Sequence, residues 1–169
     1  NNNAYCQDNE INWVDWKNIS KENQSLQLFT RYVTSLRNKY PLFTSKNYIH
    51  RPDEPDGREN RIVRWVNQFG EEMREEQWRE RHCHSLGWVL ESSKAVKYSS
   101  SDRCVLLLLF NTGSEDEQFV LPRDGNIKKW RCLLDTVSSD GLPSVKEKAP
   151  GKSVSMLHKS MQLFVAVFK

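Results

Sequence analysis

A single long helix followed by an antiparallel β-sandwich is the fold this sequence predicts, which makes the chain mainly β. Three observations predict it. Residues 20–40 carry apolar side chains at helical spacing. From residue 61 onward, short runs of β-branched, aromatic and leucine residues alternate with turn signals at roughly ten-residue intervals. Between the two regions, residues 44–60 (TSKNYIHRPDEPDGREN) hold two prolines, a PDG turn and many charges, the texture of a linker.

Residues 1–18, opening NNNAYCQDNEINWVDW, read as an ordered polar loop. The helix follows over 20–40, SKENQSLQLFTRYVTSLRNKY, with Leu26, Phe29, Val33, Leu36 and Tyr40 on one stripe and Tyr32 widening it. Ser20 is its expected N-cap, Arg37 and Lys39 suit its C-terminal end, and Pro41 stops it. Its apolar stripe needs a partner surface. Either it packs on the sandwich, or most of its partners have been cut away. The lack of an initiator methionine and the abrupt polar start favour the second expectation. Strands are expected near 61–67, 86–91, 104–110, 117–121, 129–134, 153–157 and 162–168. Segment 71–81, EEMREEQWRER, reads as a short exposed helix or a wide loop.

Bulk properties narrow the function classes. The 169 residues make one domain, or one domain and a piece of another. With 37% hydrophobic residues, six Trp and seven Phe, the chain can bury a core, which excludes global disorder. The 25 basic and 22 acidic residues are interspersed and leave a net charge of only +3, so neither nucleic acid nor a membrane surface is an expected partner. The longest apolar run, VLLLLF at 105–110, falls far short of the roughly 20 residues that span a bilayer. No signal peptide is visible. Cysteines at 6, 83, 104 and 132 have neither metal-ligand nor redox spacing. Cys104 and Cys132 lie in apolar runs as small hydrophobes. That usage predicts a reducing, cytoplasmic compartment and no disulfide framework.

The opening stretch NNNAYCQDNEINWVDW resembles the segment near the end of the catalytic barrel in isoamylase-type glycogen debranching enzymes of the α-amylase clan. SLRNKYPLF looks like that family's last barrel helix, and VRWVNQFGEEMREEQW like its aromatic strand, Gly-(Arg/Glu)-Glu-Met turn and Trp. SLGWVLES, LLLLFN, FVLP, W..LLDT and a terminal S..LF resemble, in order, its C-terminal β-sandwich. The resemblance implies residues 1–43 as the loop and last helix of a truncated (β/α)8 barrel, 44–60 as a linker and 61–169 as the C-terminal sandwich. It also implies a parent that hydrolyses α-1,6-glucosidic branches of glycogen, starch or limit dextrin, with the missing N-terminal barrel as partner and no cofactor. Retaining chemistry needs two carboxyl groups about 5–5.5 Å apart. The clan carries them on earlier barrel strands, so no catalytic residue is expected in this chain, and the chain alone is expected to be inactive.

The loop is the candidate binding element. Asn and Asp offer paired donors and acceptors for vicinal sugar hydroxyls, and aromatic rings offer flat apolar faces. The placement implied by the resemblance makes Asn2, Asn3, Tyr5, Asp8 and Asn9 the candidate α-glucan contacts. The competing reading is that such residues only satisfy loop backbone. Trp13 and Trp16 are expected to clamp the loop to the helix. Glu71, Glu72, Glu75, Glu76 and Glu80 sit among arginines and read as a solvated face, not a catalytic pair. His82-Cys83-His84 has no second ligand pair for zinc. The sequons at Asn18 and Asn23 fall at the helix start and are expected to be unused. The rival function is a stand-alone sandwich that holds α-glucan through exposed aromatics such as Trp65, Trp78 and Trp88.

Overall fold

Val105–Phe110 is a near-continuous apolar run because its strand carries a hydrophobic core on each face. That strand, β3 (Cys104–Asn111), is central in a six-stranded sheet ordered β1-β2-β3-β8-β5-β6. The other members are β1 (Arg61–Val66), β2 (Ser85–Ser92), β5 (Ile127–Asp135), β6 (Glu147–Lys148) and β8 (Ser160–Phe168). A second sheet pairs β4 (Glu117–Val120) with β7 (Ser153–Met156), and every pairing is antiparallel. Two helices, α1 (Lys21–Lys39) and α2 (Glu75–Trp78), and a 3-10 turn at Pro41–Phe43 complete the described elements. The computed structural model describes residues 5–44, 61–81, 83–92 and 103–169. The predicted linker core at 45–60 lies outside them.

Strand periodicity sorts the two cores. Val105, Leu107 and Leu109 point to one side and pack with Phe119, Met156, Trp130 and Phe164 between the two sheets. Cys104, Leu106 and Leu108 point to the other and pack with Leu36, Leu42, Leu90 and Leu163. The architecture is therefore an unequal sandwich, six strands over two, with α1 as a third layer on the outer face of the larger sheet. The seven expected strands are all present. β6, two residues long, was not expected, because two residues carry no periodicity to read. Burial pushes the thiol of Cys104 up to about 11 and that of Cys132 up to about 12, as befits cysteines buried as hydrophobes.

α1 forms where the capping signals put it. Ser20 Oγ accepts from Asn23 N at 3.2 Å, and Tyr40 N closes the last turn on Leu36 O. Phe29, Tyr32, Val33, Leu36 and Tyr40 meet the sheet. The helix thus packs on the sandwich through this face, the first of the two alternatives, although the second was favoured. Leu26 departs from the expected stripe and is 61% exposed. One polar contact fixes the docking. In β5 the register shifts between Cys132 and Leu134, leaving Leu133 as the unpaired residue of a bulge. Tyr32 Oη donates to the Leu133 carbonyl that the ladder leaves free.

The turn after β1 wraps on β4. Asn67 Oδ1 accepts from Phe69 N and Glu71 N, and Gln68 O accepts from Val120 N at 2.8 Å. Gly70 has φ +75°, and a Cβ there would stand 2.5 Å from Val120 O and 3.2 Å from Pro122 N. Both neighbours are backbone and cannot swing aside. Gly70→Ala should therefore cost about 2–3 kcal/mol, from the left-handed conformation plus overpacking. Denaturant titration checks it; a loss below about 0.5 kcal/mol, the usual surface value, would contradict the close approach.

Candidate functional site

The loop at residues 5–19 is built by local hydrogen bonds and lies open to solvent. Tyr5 and Cys6 enter it with positive φ (51° and 58°), and the Tyr5 side chain is 82% exposed. Asp8 Oδ1 accepts from Trp13 Nε1 at 2.5 Å. Among the described residues, the second oxygen of Asp8 has no partner. Asn9 is committed to the turn itself. Its Oδ1 accepts from Ile11 N, its Nδ2 donates to Gln7 Oε1, and its carbonyl accepts from Asn12 N and Trp13 N. Asn2 and Asn3 lie outside the described residues.

A residue that sequence reasoning passed over shapes the end of this loop, just ahead of the helix. Asp15 Oδ1 accepts from Lys17 N and Asn18 N, and Oδ2 accepts from Asn18 Nδ2. The Asn18 amide, together with those backbone N–H groups, holds the Asp15 carboxyl below its ordinary range. The available signal was an Asp two and three residues ahead of polar positions, the pattern of an Asx turn.

Trp13 and Trp16 do not clamp the loop as expected. They are 63% and 69% exposed, because the loop is held by its own turns and runs beside the solvent side of α1. There Val14, Trp16 and Ile19 of the loop face Leu26, Thr30 and Thr34 of the helix across an open groove of about 970 Å³. α1 is consequently two-faced: one side grips the sheet, and the other lines a groove to which the helix gives Leu26 among polar residues and the loop gives Val14, Trp16 and Ile19.

The carboxylate-rich segment lies at the surface. Glu75 is paired with Arg79 at 2.6 Å, one helical turn away, and Glu71, Glu72, Glu76 and Glu80 are exposed or lie at the surface. Among the described residues no group of three His, Cys, Asp or Glu side chains is placed to hold a metal. His84 and Cys83 are exposed ahead of β2, and His82 is outside the described residues. No described helix is long and apolar enough to cross a membrane.

The three tryptophans of the rival reading do come together. Trp65 and Trp88 are direct cross-strand partners on β1 and β2. Their rings stack with centroids 6.1 Å apart and planes 20° apart. Trp78 of α2 meets Trp65 edge-on, at 5.6 Å and 84°. The bond from Met73 N to Trp65 O, at 2.8 Å, sets α2 against the strand. Trp88 Nε1 is buried without a hydrogen-bond partner, while Trp65 and Trp78 remain 39% and 50% exposed.

Comparison with known proteins places these elements in context. The family model described as "Isoamylase, C-terminal" matches residues 62–165, which includes nearly all of both sheets. A glycogen operon protein GlgX homolog of Mycobacterium tuberculosis is 30% identical over 95% of this chain and 24% of its own length. A glycogen debranching enzyme of Cronobacter sakazakii is 34% identical over 83% of this chain and 17% of its own length. One from Salmonella typhi is 30% identical over the same shares. The chain thus spans a quarter or less of the length of these curated relatives.

Proposed function

Because the chain belongs to the isoamylase C-terminal family, we propose that it is the C-terminal portion of a debranching hydrolase. That enzyme cleaves α-1,6-glucosidic branches of glycogen or starch by a retaining mechanism. Residues 1–43 serve as the loop and last helix of the catalytic barrel, 44–60 as a linker and 61–169 as the sandwich that buttresses it. The two catalytic carboxylates are supplied by polypeptide outside these residues, so the chain alone does not hydrolyse glucan. The observation that carries this reading is the two-faced helix. α1 is anchored on the sheet by Tyr32 and Leu36, yet presents Leu26 and a groove with Trp16 and Ile19 to the opposite side. A terminal barrel helix needs such a second face to meet its neighbours. The names of the relatives support an α-glucan substrate. Four free cysteines, two of them in the core, support a cytoplasmic setting.

Within this reading Tyr5 and Asp8, with Asn2 and Asn3, contact the glucan. Asn9 shapes the turn that presents them. Asp8 uses one oxygen on Trp13 and keeps the other for sugar hydroxyls. Hydrogen bonds to an ionised acceptor contribute about 1.5–3 kcal/mol. Asp8→Ala in the whole enzyme should therefore lower kcat/KM on glycogen roughly ten- to a hundredfold. Asp8→Asn separates the two roles, because it keeps an oxygen for the indole N–H and loses the charge. If Asp8 only holds the loop, the Asp8→Asn enzyme keeps wild-type kinetics and the contact is refuted. If Asp8 binds glucan, the Asp8→Asn enzyme stays impaired in kcat/KM while its thermal midpoint remains near wild type.

A further inference from the structure

We infer that Trp65, Trp78 and Trp88 form an α-glucan-binding platform, built on residues other than those of the 5–19 loop. The inference rests on the proposed function for its choice of glucan.

The geometry is that of an open platform. Trp65 and Trp88 lie nearly parallel on the outer face of the large sheet, and Trp78 stands at 84° to Trp65. A glucosyl ring has an apolar face of C–H groups, and its hydroxyls project around the rim. It can lay that face on an indole and leave the hydroxyls in water. Size decides between a sugar and a protein partner. A tryptophan buries about 150–250 Å² when covered, so the exposed parts of Trp65 and Trp78 sum to on the order of 200 Å². That suits a few sugar rings and falls well below the roughly 800 Å² per partner of a stable protein interface.

Two further facts favour a neutral sugar. A cage for an organic cation encloses its ligand between several mutually upright rings, whereas two of these three are stacked. Beside Trp78, Glu75 and Arg79 are paired with each other at 2.6 Å. Stability alone also gives no reason for the indole at 88. Its Nε1 is buried without a partner, a cost that phenylalanine would avoid. Trp88 does supply a broad floor that holds Trp65 flat. On a polymer with many chain ends, such a platform adds avidity by raising the effective concentration of substrate.

The experiment is affinity electrophoresis of the chain through glycogen, together with maltoheptaose titration followed by tryptophan fluorescence. Wild type should be retarded and should respond to the sugar. Trp78→Ala, a half-exposed position, should weaken both by about tenfold with little change in thermal midpoint. Trp65→Phe should weaken them less. Phe69→Ala removes an aromatic residue that is 60% exposed and makes no ring contact with the cluster; it should change neither. Wild type without retardation or response overturns the inference, as does a Trp78→Ala chain that binds like wild type. A response to choline in place of maltoheptaose overturns it too, and so does loss of self-association as the only effect of Trp78→Ala. Debranching by the whole enzyme is measured separately on a short branched oligosaccharide. Loss of that activity with platform binding intact would count against the proposed function and not against the platform.

Discussion

Trp130→Ala should lower the stability of the chain by about 3–5 kcal/mol, the range for deleting a large aromatic from a packed core. Trp130 is 1% exposed and lies between the two sheets with Phe119, Met156 and Phe164. The small sheet has only two strands and cannot collapse far into the space left behind, so the cavity term stays large. The indole also donates from Nε1 to Pro122 O at 3.1 Å. This bond ties the segment after β4 to β5. At this size the loss corresponds to a fall in thermal midpoint of about 10 °C. Trp130→Phe separates the contributions. It keeps most of the volume, leaves Pro122 O unpaired, and should cost about 1–3 kcal/mol. Denaturant midpoints for the two variants check this. Equal losses would mean that the hydrogen bond, not the packing, dominates at this position.

Asn111→Asp should be comparably damaging, at about 3–5 kcal/mol near neutral pH, although it changes one atom. Asn111 ends β3 and is 1% exposed. Its Nδ2 points at three carbonyl oxygens, those of Glu115 at 2.8 Å, Leu157 at 3.2 Å and Met156 at 3.3 Å. Its Oδ1 accepts from Gly113 N. One amide therefore fastens the β3–β4 turn to the β7–β8 turn, across both sheets. An aspartate would set an acceptor against three acceptors in a buried site, which raises its folded-state pKa above the unfolded value near 3.9. The penalty is then absent below the unfolded pKa and grows as pH rises towards the folded one. Asn111→Ala removes the donor without adding a charge and should cost less at pH 7. Stability measured against pH for both variants tests the argument. An Asp variant no worse than Ala at pH 7, or one whose deficit does not shrink towards pH 4, would refute the donor role.

The fold was legible where local chemistry decides it. Ser20, Pro41 and the 3–4 spacing place α1 to within a residue, and alternation places seven strands. The apolar run of β3 was read as a strand, and its burial on both faces came only with the structure. What was not legible depends on contacts distant in sequence. Nothing local told that Leu26, seven residues ahead of Val33 on the same stripe, would stay 61% exposed. The exposed state of Trp13 and Trp16 follows from where the loop runs, not from their own polarity. The tryptophan cluster needed the register of β1 on β2, which pairs Trp65 with Trp88. The role of Asn111 needed two turns more than forty residues apart to converge. For the candidate site, the residue types of the loop could be read, but which oxygen of Asp8 is already taken could not.

β8 lies between β3 and β5, although it is the last strand of the chain. During translation the ribosome delivers β1, β2 and β3 first, then β5, while the strip that joins them is still to come. Until residues 160–168 emerge, β3 waits with an unpaired edge of Leu106–Phe110, the most apolar ribbon in the molecule. The nascent sheet is therefore two halves with sticky margins, and it closes only in a late, long-range step. Loss of the final strand would not trim this sheet at its border. It would split the sheet down the middle.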